Sequence, residues 1–397
     1  MLKTGVNEQL YVFYIFGLGW LLNRCFSWVN DPLQTTSTHP SDPLIRAEKT
    51  QIGLHFCTGT FFLRESMKNL ATILTFSVIT TFSFADEEVK ALLPVFGEPL
   101  KAAKLPKDST ERAKVELGRS LYHEKRLSKD NTISCNSCHK TDGYGVDGEK
   151  FSLGFNDHRT GRNSPTSFNA FMHLSQFWDG RAPTVEEQAK GPILAGGEMA
   201  MPSADAVVEK LNKIEGYEVL FKKAFPKSKP AITYDNVGDA IGAYERLFIT
   251  PSRFDKLLAG KEKALKEKEL KGFKKFVSAG CVACHTGNLL GGNTYQKLGV
   301  VKAWPNQKDQ GRFDLTKKEE DKMFFKVPSL RNIAKTGPYF HDGSSAELED
   351  AVKRMAEHQL GKDLTKEEIS DIVAFLESLT GKLPKTIAAA PKSFPGQ

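Results

Sequence analysis

The sequence predicts an all-α fold built as two tandem domains. Three observations predict it. The segment Cys135-Asn136-Ser137-Cys138-His139 recurs in kind as Cys281-Val282-Ala283-Cys284-His285. Each copy follows apolar residues at helical spacing, Ala113, Leu117 and Leu121 before the first and Leu270, Phe273 and Val277 before the second. Strand-like alternation is scarce along the whole chain.

Cys-x-x-Cys-His is the attachment pattern of c-type haem. The two thiols add across the haem vinyl groups, and the adjacent histidine becomes the proximal iron ligand. Cys135, Cys138 and His139 thus hold one haem, and Cys281, Cys284 and His285 a second. A tethered haem needs no deep pocket to retain it, so a small helical domain suffices.

Length and composition agree with this reading. The chain has 397 residues, 40% of them hydrophobic and 26% charged, enough for two cores. The formal charge of +7 comes without a basic run of the kind that binds nucleic acid. Haem propionates offset much of that excess. Six cysteines are present, and four of them lie in the two motifs; the other two are Cys25 and Cys57.

Met67-Lys68-Asn69 begins a secretory leader. One lysine precedes the apolar stretch Leu70–Phe84, and Ser83-Phe84-Ala85 suits a signal peptidase before Asp86-Glu87-Glu88. Residues 1–66 read as an upstream extension without function, and their apolar run Leu10–Leu22 is short for a bilayer span. Removing the leader leaves no cysteine outside a haem motif and no membrane span. Covalent haem attachment in bacteria occurs outside the cytoplasmic membrane, so the expected compartment is the periplasm.

The mature chain divides near Thr250-Pro251 into an N-terminal haem domain, 86–250, and a C-terminal one, 251–397. Gly143 to Pro165 and Gly287 to Gly299 are loops, because glycine and small polar residues break any apolar period there. Lys261 to Lys271 is a solvated helix face rather than a binding patch. Ser344-Ser345-Ala346-Glu347 and Thr365-Lys366-Glu367-Glu368 read as capping boxes. Gly361 and Gly381 read as the matching C-terminal caps.

A haem iron bound by porphyrin and one histidine has one site left. A strong protein ligand there makes an electron carrier, and an open site makes a reactive centre. Here the order of motifs becomes informative. The first half carries Gly161-Arg162-Asn163-Ser164-Pro165-Thr166, Phe177-Trp178-Asp179-Gly180-Arg181, Glu187-Gln188-Ala189, Gly191-Pro192 and Glu198-Met199. The second carries Val327-Pro328-Ser329-Leu330-Arg331-Asn332, Gly337-Pro338-Tyr339-Phe340-His341-Asp342-Gly343 and Ala351-Val352-Lys353-Arg354-Met355-Ala356. From about Leu92 to Gly381 the chain resembles the bacterial di-haem cytochrome c peroxidases, the family that includes the MauG-type enzymes.

The resemblance implies two cytochrome c-like domains with the N-terminal haem as the peroxide site. Glu198 matches the family's acid–base carboxylate, Gln188 its amide hydrogen-bonder, and Pro192 lines the same pocket. Met355 matches the sixth ligand of the C-terminal, electron-transfer haem. A methionine thioether there favours the peroxidase branch, since MauG-type relatives carry a tyrosine. Trp178 matches the tryptophan between the haems. Asn163, Thr336 and Pro338 match an interdomain calcium site. The implied substrate is hydrogen peroxide, the implied donor a small cytochrome c or cupredoxin, and the implied assembly a homodimer.

One departure stands out. Many family members close the resting peroxide site with a histidine in the loop after the first haem motif. Phe155 takes that place here, and phenylalanine cannot ligate iron. The nearest histidine is His158, so the active haem is expected to be open or loosely gated in the oxidised state. His123, His173 and His358 have no motif support and read as structural or surface residues. Two rival functions remain at this stage: a MauG-like oxidase of a protein or other substrate, and a non-enzymatic di-haem carrier or sensor with both irons six-coordinate.

Overall fold

The protein's structure, a computed structural model, describes residues 87–397. The leader 67–85, the extension 1–66, and Cys25 and Cys57 lie outside the described residues.

The N-terminal half is helical. Helix α1 (Ser109–His123) begins where the Asp108 carboxylate accepts the backbone N–H groups of Thr110 and Glu111, both at 2.9 Å. Its buried face carries Val115, Leu117 and Leu121, as the spacing predicts. The one-turn α2 (Cys135–Cys138) is the first haem motif, followed by α3 (Val185–Leu194), α4 (Ala204–Asn212), α5 (Tyr217–Ala224) and α6 (Tyr234–Glu245). The C-terminal half contains α7 (Arg253–Leu258), α8 (Glu267–Ala279), α9 (Phe313–Thr316), α10 (Leu348–Leu360), α11 (Lys366–Ser378) and α12 (Lys385–Ala388). Its one small sheet pairs β1 (Tyr295–Lys297) antiparallel with β2 (Phe324–Lys326), so the Gly287–Gly299 loop ends in a strand.

Each half is organised by one helix crossing with a glycine at its centre. A Cβ on Gly118 of α1 would lie 1.8 Å from Ala240 O of α6, and one on Gly272 of α8 would lie 1.8 Å from Asp371 O of α11. Only hydrogen fits at either point, so the backbones approach closely. Aromatics close both crossings: Tyr122, Tyr244 and Phe248 in the first, Phe254, Phe273 and Phe375 in the second.

A second repeat runs through the middle of each half, shifted by 163 residues without a gap (Asn169 to Asn332, Pro192 to Met355). Asn169 and Asn332 both have φ of 62° and start a 3₁₀ turn. Phe177 and Phe340 have φ of 67° and 71°, each inside a β-bridged turn, Gln176↔Ala182 and Tyr339↔Ser345. Helices α3 and α10 follow at the same shift.

Two of the four sequence-predicted caps are corrected. Glu347 is itself the N-cap of α10 and makes no side-chain cap bond. Ser345 Oγ instead donates to Asp350 Oδ2 and to Glu347 O, so no capping box forms at Ser344. The box at Thr365–Glu368 does form, with bonds of 2.9 and 3.2 Å. Gly361, at φ 62°, caps α10, but α11 ends at Ser378 with Leu379 as cap. Gly381 serves a different purpose: its N–H donates to Asn332 Oδ1 at 2.9 Å, and a Cβ there would meet Thr250 O at 2.3 Å.

Thr250, at the boundary suggested by sequence, ties the halves together. Its Oγ1 accepts from Asn169 Nδ2 (3.0 Å) and from Asn332 Nδ2 (2.8 Å). The tails depart from a simple division at this point. Val89 and Phe96 pack into the C-terminal core, and Ile387 packs into the N-terminal core. Arg162 adds a charged clamp, reaching Asp309 at 2.6 and 2.8 Å and Asp179 at 2.7 Å. Lys271, at the end of the Lys-rich stretch, and Lys275 just beyond it pair with carboxylates of α11. That stretch is solvated but interrupted, since α8 starts only at Glu267.

Candidate active site

Both Cys-x-x-Cys-His motifs open onto one cavity of about 630 Å³, lined mostly by apolar side chains from both halves. The turn of α2 sets Cys135 and Cys138 three residues apart on one face, and Ser137 Oγ closes it by accepting the Ser134 N–H at 3.0 Å. The four motif cysteines are unpaired. Burial pushes the Cys138 and Cys281 thiols up to about 11, and those of Cys135 and Cys284 also upward.

The residues present fit two c-type haems. His139 Nδ1–H donates to Gly145 O at 3.2 Å and His285 Nδ1–H to Leu290 O at 2.9 Å. A hydrogen bond at Nδ1 fixes the tautomer and leaves Nε2 to bind a metal. Burial also lowers the His285 pKa, favouring the neutral imidazole that ligates. Each half therefore presents two thiols and one oriented imidazole to a shared cavity.

The other sequence candidates gather around it. Glu198, Gln188 and Pro192 line the cavity on the N-terminal side. Pro192 lacks an N–H, so the Gln188 carbonyl loses its helical partner and α3 stops at Leu194. The chain then folds back: Glu198 N–H donates to Ala195 O at 2.9 Å and Met199 N–H to Pro192 O at 3.2 Å. This return brings Glu198 to the cavity wall. Burial raises its carboxyl above the ordinary range, while the Arg181 guanidinium pulls it back down. Met355 lines the C-terminal side on α10, with Leu348, Ala351 and Val352.

Trp178 sits at the junction. Its Nε1–H donates to Asn163 O at 2.8 Å, and its backbone O accepts the Lys326 N–H at 2.8 Å. The ring packs in one apolar cluster with Trp304, Phe325 and Met355. Asn163, Thr336 and Pro338 line the same cavity. Asn163 Nδ2 donates to Glu149 O at 3.0 Å.

Phe155 and His158 are outside it. The Phe155 N–H donates to Glu198 O at 2.8 Å and Gly154 N–H to His158 O at 2.7 Å, which stitches this loop to the Glu198 segment. His158 is exposed and packs beside Gly197, where a Cβ would meet its ring at 2.4 Å. His123 and His358 are buried structural residues, the latter with Nδ1 bonded to Lys302 O at 2.9 Å.

Two residues escaped sequence reasoning. Buried His341 stacks on Phe325 at 4.3 Å and meets Trp178 edge-on at 6.3 Å. It stands at the position of Trp178 in the 163-residue repeat, which a self-comparison of the chain reveals. Lys326 is buried beside Trp178, with Nζ donating to Ser175 O at 2.7 Å and meeting His173 Nδ1 at 3.2 Å. Burial pushes its ammonium down to about 7. His173 thereby becomes part of the interface rather than a surface residue.

Comparison with known proteins decides the family. The family model described as di-haem cytochrome c peroxidase matches residues 112–263, and that described as cytochrome c matches residues 270–380. A cytochrome c551 peroxidase of Pseudomonas aeruginosa is 45% identical over 276 residues, covering 68% of this chain and 79% of that protein. The chain belongs to the di-haem cytochrome c peroxidase family. A cytochrome c551 peroxidase of Nitrosomonas europaea is 42% identical, over 80% of this chain and 93% of its own length. The crystal structure of a MauG-like protein associated with microbial copper homeostasis superposes with a TM-score of 0.63 at 28% identity, covering 75% of this chain and 96% of that one. Two tandem cytochrome c-type domains and haem cofactors are thus features of this di-haem peroxidase. Among the described residues no helix is long and apolar enough to cross a membrane.

Proposed function

We propose that this di-haem peroxidase reduces hydrogen peroxide to water in the periplasm, drawing electrons from a small soluble cytochrome c or cupredoxin. The observation that carries the reading is the inequality of the two cavity walls: a half-buried carboxyl with an amide neighbour on one side, a methionine on the other. Cys135, Cys138 and His139 would hold the N-terminal haem, which would supply the redox chemistry for peroxide reduction beside Glu198. Cys281, Cys284 and His285 would hold the C-terminal haem, with Met355 placed on the same side of the cavity to offer its thioether; a haem so held would supply a high-potential electron store.

The protein's own groups handle the protons. Glu198, as carboxylate, takes a proton from one peroxide oxygen and returns it to the other, which leaves as water. Gln188 holds the departing oxygen through its amide. Two electrons and two further protons complete the conversion of one peroxide to two waters. Trp178, between the two motifs, shortens the electron route. Neither Phe155 nor exposed His158 blocks the peroxide face in this reading.

In the same reading Asn163, Thr336 and Pro338 would hold a calcium ion; oxygen donors suit that cation. With Nδ2 engaged, Asn163 Oδ1 is the atom left to face it. A homodimer completes the assembly.

Stopped-flow mixing of the enzyme with peroxide and a reduced cytochrome tests the proposal. Rapid turnover is expected, with Glu198→Gln slower by about 10²–10⁴. Two low-spin haems inert to peroxide in every oxidation state would overturn it in favour of a carrier.

A further inference from the structure

Glu198 faces two spaces. Besides the haem cavity it lines a second cleft of about 360 Å³ on its outer side. Four residues line both spaces: Phe177, Arg181, Pro192 and Glu198. They form the partition between them. The outer cleft opens to solvent, since Pro183 and Gly191 on its rim are exposed and the Arg181 side chain is 42% exposed.

The partition is held in one arrangement. The Arg181 guanidinium lies 3.4 Å from the centroid of the Phe177 ring. Its Nη1 donates to both carboxylate oxygens of Asp179, at 3.1 and 3.0 Å, and Asp179 is itself buried and tied to Arg162. Phe177 sits at φ 67°, a strained choice for a side chain with a Cβ. Its ring faces α3 at Gly191, where a Cβ would come 3.4 Å from Phe177 Cζ. Strain, a stacked cation and a matching glycine all serve to place this one ring across the neck.

We propose that the outer cleft is the peroxide entrance and that the Phe177–Arg181 stack is its size filter, restricting the substrate to hydrogen peroxide and the smallest alkyl hydroperoxides. This rests on the assignment of Glu198 as the acid–base group. The reacting O–O unit must reach Glu198 through the neck, while any alkyl tail stays in it. A flat ring backed by a guanidinium leaves no room for a bulky tail. A reduced alkyl hydroperoxide would release one alcohol and one water for two electrons and two protons.

The test compares wild type with Phe177→Ala, Phe177→Leu and Gly191→Ala, each checked for full haem content by absorbance. Two readouts are taken: kcat/KM for hydrogen peroxide and cumene hydroperoxide, and the association rate of cyanide with the oxidised protein. Phe177→Ala should raise the cumene-to-hydrogen peroxide ratio of kcat/KM by about tenfold or more, with Phe177→Leu between it and wild type. Gly191→Ala, which adds a methyl in van der Waals contact with the ring, should slow cyanide association and raise KM modestly without that change in ratio. Unchanged ratios and cyanide rates across all three variants, in a wild type active towards hydrogen peroxide, would overturn the entrance. A wild type inactive towards both peroxides would instead overturn the functional reading beneath it.

Discussion

The two halves share one frame and differ where the sixth ligand stands. Shifted by 163 residues, Asn169 falls on Asn332, Phe177 on Phe340, Asp179 on Asp342 and α3 on α10, and Met355 falls on Pro192. In the C-terminal half the helix continues for 13 residues and carries a thioether to the cavity. In the N-terminal half proline ends the helix after 10 residues, and the chain doubles back to present Glu198. One difference at a repeated position thus leaves the N-terminal side without a thioether and, through backbone geometry, brings a carboxyl to that side of the cavity. In the proposed reading, the division of labour between the halves follows from a proline's missing N–H.

The sharpest way to break this comparison is Pro192→Met. It restores a helical N–H and offers the N-terminal iron a sulfur at the position Met355 holds on the other side. The expected result is loss of the high-spin signal in electron paramagnetic resonance of the oxidised protein and a fall in peroxidase kcat of about 100-fold or more. Persistence of an open haem with full activity would show that the two positions are not equivalent. The converse change, Met355→Ala, should lower the midpoint potential of the C-terminal haem and slow steady-state turnover by about tenfold, because electron supply rather than proton transfer is impaired. Spectroelectrochemical titration separates the two haems.

The shared frame itself can be tested through its crossings. Gly118→Ala and Gly272→Ala each drive a methyl to 1.8 Å from a facing carbonyl oxygen. Both should destabilise by about 3 kcal/mol, the upper range for overpacking, and by similar amounts, measured as a fall in urea midpoint. A large effect at one glycine only would mean that the halves are not built alike.

Much of this was legible in the chain. The haem motifs, Glu198, Gln188, Pro192, Met355 and Trp178 all line one cavity, because each sits in a local motif whose spacing survives folding. The interface was not legible. Lys326 and the Arg162–Asp309 clamp depend on partners 147 or more residues away, and no periodicity announces such a contact. Ser344 misled for a related reason. The Ser-x-x-Glu pattern was present, but Ser345 found a better partner in Asp350, and the helix began three residues later than the pattern implied. Local signals place elements, whereas long-range pairing decides which of them are used.

The smallest expected effect concerns the carboxyl that the proline turn delivers. Burial raises the Glu198 pKa, and the nearby Arg181 charge opposes this. The active form is the carboxylate, so kcat/KM should be constant at higher pH. It should fall as pH drops through a value above the ordinary carboxylate range. Removing the guanidinium takes away a stabiliser of the carboxylate, so Arg181→Gln should move this limb to higher pH. The plateau for hydrogen peroxide should change little by comparison. Glu198→Gln should abolish the limb along with most of the rate. No corresponding limb is expected from the C-terminal half, where Gly361 occupies the repeat position of Glu198. A limb in the wild type that is untouched by Arg181→Gln would place the titrating group elsewhere in the cavity, with Lys326 the next candidate by burial.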